Sequence, residues 1–239
     1  MRISAVCSVM AMLTVAGAAV SVSADTNLAG GSGMLSANAN FAVSGNNLVV
    51  TLTNDATADV LVPADVLTTL FFRIEGPALA LTPVSALLGA GSTVIYDDQP
   101  AGGVVGGEWQ YIDGLALSGQ IAGLQYGLGS AGLGVFGSPN FPGGNLAGPA
   151  GVNGLQYGIV SAGDNAGTGN GGVTGSGGLI HNSVVFTLSG LPDNFDVSRV
   201  TAAFFLYGTA FGEGGFLVPT PATGGLLGLA GLMALRRRR

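Results

Sequence analysis

From residue 40 onward the chain alternates apolar and polar positions in short runs. Residues 40–44 and 48–53 place Phe41, Val43, Leu48, Val50 and Leu52 at every second position, the period of a half-buried strand. Between them lies Gly45-Asn46-Asn47, a cluster suited to positive φ, so the pair reads as a hairpin. Further strands are expected at 67–74, 93–96, 108–112, 183–188 and 200–207. Each is rich in β-branched or aromatic residues and bounded by Gly, Pro, Asp or Asn. Ser189-Gly190-Leu191-Pro192-Asp193 is a turn between the last two. No internal segment carries a long 3.6-residue period with caps, and residues 63–70 have room for a single helical turn. The pattern predicts an all-β fold, an antiparallel β-sandwich with long Gly-rich loops. Without a helical crossover, parallel pairing is not expected.

The middle of the chain changes the picture in one respect. Residues 101–178 hold 26 of the 43 glycines, without the strict one-in-three spacing of collagen. Gly123-Leu124-Gln125-Tyr126-Gly127, followed by Ser130-Ala131-Gly132, returns 31 residues later as Gly154-Leu155-Gln156-Tyr157-Gly158, followed by Ser161-Ala162-Gly163. Two copies are too few for a solenoid. They read as two equivalent strand-loop units or as long ordered loops.

Both ends depart from the body. Arg2 precedes an apolar stretch over 6–20, and Val22-Ser23-Ala24 supplies a small-x-small cleavage signature before the acidic, polar Asp25-Thr26-Asn27. This is the layout of a secretory signal peptide, expected as a helix over 1–24 and cut between Ala24 and Asp25. The apolar stretch falls short of the ~20 residues that span a bilayer comfortably. The sole cysteine, Cys7, lies within that segment, so the mature chain would carry neither a disulfide nor a thiolate metal site. At the other end Val218-Pro219-Thr220-Pro221 leads into an apolar run ending at Leu235. Arg236, Arg237, Arg238 and Arg239 close the chain. Two prolines at i and i+2 keep the backbone extended and open to a protease. The apolar run is expected as a short transmembrane helix, with the arginines as a membrane stop held in the cytoplasm. The domain plan is therefore 1–24 signal peptide, 25–217 surface domain and 218–239 sorting signal.

Charge narrows the function. Only 8% of residues are charged, against about 25% in ordinary soluble proteins, and there is no lysine. Between the two ends, Arg73 and Arg199 face 13 acidic residues, 2 − 13 = −11. Such a body repels nucleic acid, which is excluded as a partner.

The tail resembles the PEP-CTERM sorting signal of exosortase-dependent bacterial surface proteins, with Thr220 where that signal usually has Glu. The body is similar to exported proteins of the same kind over most of 40–212. The stretches that carry this likeness are Phe71-Phe72-Arg73-Ile74, Gly106-Gly107-Glu108-Trp109-Gln110-Tyr111, the Tyr-Gly-x-x-Ser-Ala-Gly repeats and the run 183–192. The resemblance implies location and processing, with no established activity. It implies as partners the secretion translocon and signal peptidase, an exosortase-type protease and, transiently, the inner membrane. Exopolysaccharide is a further possible partner in the matrix.

Candidate chemistry is sparse, and no enzymatic activity is expected. His181, the only histidine, lies near Ser183, but no Gly-x-Ser-x-Gly elbow exists to present a nucleophile. Gly127-Leu128-Gly129-Ser130-Ala131-Gly132 has the letters of a dinucleotide fingerprint but lacks the helix that must follow it. Asp97-Asp98 and Asp164-Asn165 offer oxygens of the type calcium takes, and neither matches a known calcium loop. Glu75, Glu108 and Glu213 have the residue type, though not the context, of a glycosidase acid pair. Trp109 and Tyr111 alternate with Glu108 and Gln110, as on a strand that fills a core or stacks on a sugar. The expected role is a structural or adhesive protein of a bacterial cell surface or extracellular matrix. The rivals are a carbohydrate- or calcium-binding module and, behind it, a secreted hydrolase.

Overall fold

The computed structural model describes residues 19–26, 35–137, 139–148 and 154–219. In chain order the strands are β1 (Ala19–Thr26), β2 (Leu35–Ser44), β3 (Asn47–Asn54), β4 (Leu67–Ile74), β5 (Thr82–Leu88), β6 (Thr93–Ile95) and β7 (Gln110–Ile112). They continue as β8 (Tyr126–Gly129), β9 (Ile159–Val160), β10 (Leu179–His181), β11 (Ser183–Ser189), β12 (Val200–Tyr207) and β13 (Gly215–Pro219). One helical turn, α1 (Gly171–Thr174), and a few 3-10 turns complete the described elements, so the chain is all-β.

Two sheets result. The first runs β1-β2-β3-β11-β5, and the second runs β13-β12-β4-β9-β10-β6, with β7 and β8 joined along β4. Their inner faces share one core. Phe41 of β2 meets Phe72 of β4 with ring centroids 5.3 Å apart, and Phe186 of β11 receives the edge of Trp109 at 4.9 Å. Alternation along β3 sends Leu48, Val50 and Leu52 inward, and all three are fully buried.

The central strands of the second sheet are buried on both faces. Leu70 and Phe72 of β4 and Ala203 and Phe205 of β12 enter the main core. Phe71, Phe204 and Leu206 point the other way, into a second cluster closed by Ile121 and Leu124. Part of the Gly-rich middle therefore lies over the outer face of this sheet as an extra layer. Close approach explains some of its glycines. A Cβ on Gly129 would lie 2.7 Å from the Phe136 ring, and one on Gly106 would lie 2.0 Å from the Pro142 carbonyl oxygen.

The two repeat copies occupy successive stretches beside β4. Tyr126 pairs with Phe72 at one end, and Ile159, two residues after Tyr157, pairs with Leu67 at the other. Their tyrosines differ in use. The Tyr126 hydroxyl accepts from the Leu79 N–H, whereas the Tyr157 hydroxyl donates to Asp97.

Three expectations change. The pairs within both sheets are antiparallel except β9 with β10, which is parallel. Its connection contains α1, capped by the Asn170 side chain, which accepts from the Gly172 and Val173 N–H groups. A crossover of this length suffices without a long helix, which is why helical periodicity did not reveal it. Second, β5 lies in a stretch with no predicted strand, because Pro83 interrupts it; edge strands tolerate proline, and β5 is an edge. Third, residues 19–24 of the expected signal helix form most of β1. Val20 and Val22 alternate with Ser21 and Ser23, a strand period, and the edge of β2 offers backbone partners from Ala19↔Ala42 to Thr26↔Leu35. Residues 1–18 lie outside the described set. The sheets thus run across both expected domain boundaries, through β1 at one end and β13 at the other.

Candidate functional site

Four of the six expected processing residues are described, and they lie on sheet edges. Ala24 and Asp25 sit in β1 opposite Ala37 and Ser36. Val218 and Pro219 sit in β13 opposite Ala203 and Ala202, and Val218 packs against the main core. Thr220, Pro221, the apolar run and Arg236, Arg237, Arg238 and Arg239 lie outside the described residues. Among the described residues, no helix is long and apolar enough to cross a membrane. A peptidase binds its substrate as an extended, unpaired strand. The expected cut between Ala24 and Asp25 would therefore require that bond to be free of β2, with which it is paired here.

His181 does not meet Ser183. The Ser183 hydroxyl lies 3.2 Å from that of Ser92, and its backbone N–H donates to Ser92 as well. The His181 imidazole instead faces Asp164, with Nε2 3.8 Å from Oδ2, beyond hydrogen-bond reach. Nearly buried Asp164 spends its other oxygen on the Val60 N–H at 2.6 Å. The Ser161 hydroxyl is buried with no hydrogen-bond partner among the described residues. The corner therefore joins β9, β10 and the segment before β4, and no nucleophile is held against a base.

The carboxylates are engaged one by one. Asp97 accepts from the Asp98 N–H at 2.8 Å and from the Tyr157 hydroxyl at 3.1 Å. Burial, then the charge of Asp97, holds the Tyr157 phenol well above its usual range. Asn165 turns its side-chain oxygen back to the Gly167 N–H, and Asp59 accepts from the Asn165 N–H and the Thr168 hydroxyl. Glu75 pairs with Arg73 at 3.1 Å. Glu213 accepts from the Thr209 and Ala210 N–H groups. No group of three or more His, Cys, Asp or Glu able to hold a metal occurs among the described residues.

Glu108 and Trp109 form the strongest polar anchor. Glu108 is 1% exposed and accepts from the backbone N–H groups of Leu146 and Ala147. Burial raises its pKa, those two bonds oppose the shift, and the Asp97 charge adds to it. Trp109 is fully buried and donates from Nε1 to the Tyr157 carbonyl at 3.1 Å. Its ring cannot stack on a sugar. Together the two side chains tie the loop after residue 144 and the second repeat copy to the core. Alternation placed them on a strand but gave no signal of these long-range partners.

The glycine run 127–132 starts as strand, not as a phosphate loop. Gly127 and Gly129 belong to β8, paired with β4 and β7. On the outer face of the second sheet, Leu117, Ser118, Ile121, Phe204 and Phe211 line a hollow of about 440 Å³. Phe211 is 40% exposed and stacks on Phe71 at 5.9 Å.

No family model, curated protein or solved structure matches this chain.

Proposed function

We propose that the chain is an exported structural or adhesive protein of a bacterial cell surface or extracellular matrix. A signal peptidase removes its leader, and an exosortase-type membrane protease processes its tail. One observation carries the reading: the order of the tail, with Val218-Pro219-Thr220-Pro221 followed by an apolar run and then by Arg236 to Arg239. From Ala222 to Leu235 the run has 14 residues, ~21 Å as helix, against a hydrocarbon core of ~30 Å. That length suits a temporary membrane stop better than a permanent anchor. In this reading the two packed, mainly antiparallel sheets serve as a β-sandwich platform, with a membrane helix formed by the tail of the precursor alone. The acidic, lysine-free body stays clear of anionic lipid while the tail is held.

Intact mass of the protein recovered from the cell surface tests this directly. The expected species begins at Asp25 and ends before Arg236. Replacing Pro219 and Pro221 together with Ala should stop tail processing while leaving membrane insertion intact. Replacing Arg236 to Arg239 with Ser should weaken retention in the inner membrane. A surface species that still carries Arg239, or normal sorting of the double Pro variant, would falsify the sorting reading.

A further inference from the structure

One lateral side of the molecule is closed by the two strands that processing touches. β1 is the edge of the first sheet and β13 the edge of the second, and β1 lies against β13 and the turn Val197–Arg199. Cleavage after Ala24, the processing reading on which this inference rests, removes Ala19 to Ala24, six of the eight residues of β1. Their partners on β2, Ala37 to Ala42, lose their neighbour. We propose that this bared edge is the contact between two copies of the mature chain, β2 pairing with β2 antiparallel about a two-fold axis.

The chemistry of β2 supports a strand partner. Its sequence, LSANANFAVS, contains no charge, proline or glycine, and it pairs with β1 and β3 without a register shift. Natural edges are usually guarded by charge, proline or a bulge. The opposite edge of the same sheet is guarded: β5 carries Pro83, and its register shifts at Thr187/Leu188. β1 itself shows what the β2 edge accepts, an antiparallel strand of small and β-branched residues.

Self-pairing also satisfies the faces. Ala37, Ala39 and Phe41 point into the core, while Asn38 and Asn40 point outward. A two-fold axis at Ala39 sets Ala37 opposite Phe41 and Asn38 opposite Asn40. An axis at Asn40 sets Asn40 opposite itself and Ala39 opposite Phe41. Both registers keep the core residues facing inward, as the two-residue side-chain period requires. The body carries 2 − 13 = −11 between the two ends, and β2 is a neutral strip on which two such bodies can meet. An isologous contact of this kind closes at two copies.

Among the residues whose burial is described, every buried core residue lies between Leu35 and Phe216, and a chain starting at Asp25 gives up from the core only the partly buried Val20. That chain, made directly without residues 1–24, should sediment at twice the mass of one copy, while the chain retaining 1–24 sediments as one. N38K/N40K places like charges opposite each other in either register and should return the Asp25 chain to a monomer with unchanged far-UV spectrum. N38E/N40E should do the same, and an equimolar mixture of the two variants should restore the double mass. A monomeric Asp25 chain, open-ended assembly, or charge variants that remain dimers would each overturn the proposal. The test is independent of leader processing: an exported chain whose intact mass retains 1–24 removes the cleavage reading, and the directly made chain still decides the edge.

Discussion

Replacing Trp109 with Ala is expected to lower the stability of the domain by about 3–5 kcal/mol, the usual cost of emptying a large aromatic site. The ring is fully buried, its edge meets Phe186, and its Nε1–H supplies a donor to the Tyr157 carbonyl. Trp109→Phe keeps most of the packing and leaves that carbonyl without its indole donor. It should cost about 1–2 kcal/mol. Urea unfolding of the three proteins measures both steps. Because Trp109 is the only tryptophan, its fluorescence reports this site alone. Blue, poorly quenched emission that does not respond to added oligosaccharide is the expected signal. Emission as in free water would contradict the core role.

The second large effect concerns Glu108. Glu108→Ala removes the one carboxylate oxygen, Oε1, that accepts from both the Leu146 and Ala147 N–H groups and should cost on the order of 3 kcal/mol at neutral pH. Glu108→Gln keeps a carbonyl oxygen to accept the same bonds and should be far milder. It should also change the pH profile. Burial raises the carboxyl pKa in the folded chain, so folding favours the protonated form. That contribution is complete below the ordinary carboxylate range and is lost as pH rises through the raised folded value. The stability of the Gln variant relative to the parent should therefore increase as pH rises from the ordinary carboxylate range, then level off above the raised folded value. Denaturation midpoints across that range check the sign. A Gln variant that loses ground as pH rises would show that the backbone bonds outweigh burial.

Much of the fold was legible because its strands announce themselves by composition. Leu67–Ile74 and Val200–Tyr207 form at their expected bounds, since continuous apolar runs of β-branched and aromatic residues suit strands buried on both faces. The hairpin of β2 and β3 was equally plain from Gly45, which takes φ +58° at the turn. Glycine hid β8, where Gly127 and Gly129 give packing room to Phe71 and Phe136 instead of adding side chains of their own. β9 escaped for a different reason: two residues are too few to show a period. The site residues were legible only as local patterns. Nothing near Asp164 in sequence points to Val60, 104 residues earlier, as the N–H it binds.

The two internal arginines govern how the folded body meets proteases that cut at basic residues. Arg73 sits within β4, its Nε donating to Thr201, and Arg199 donates to the Glu75 carbonyl with its guanidinium over the Phe195 ring. Between Asp25 and Leu235 there is no lysine and no other arginine. Digestive enzymes that cut after lysine or arginine therefore find two bonds in the whole body, one inside a central strand and one where β12 begins. Proteases of that specificity can cut the folded body only after the sheet itself has opened, so its durability against them is set by unfolding.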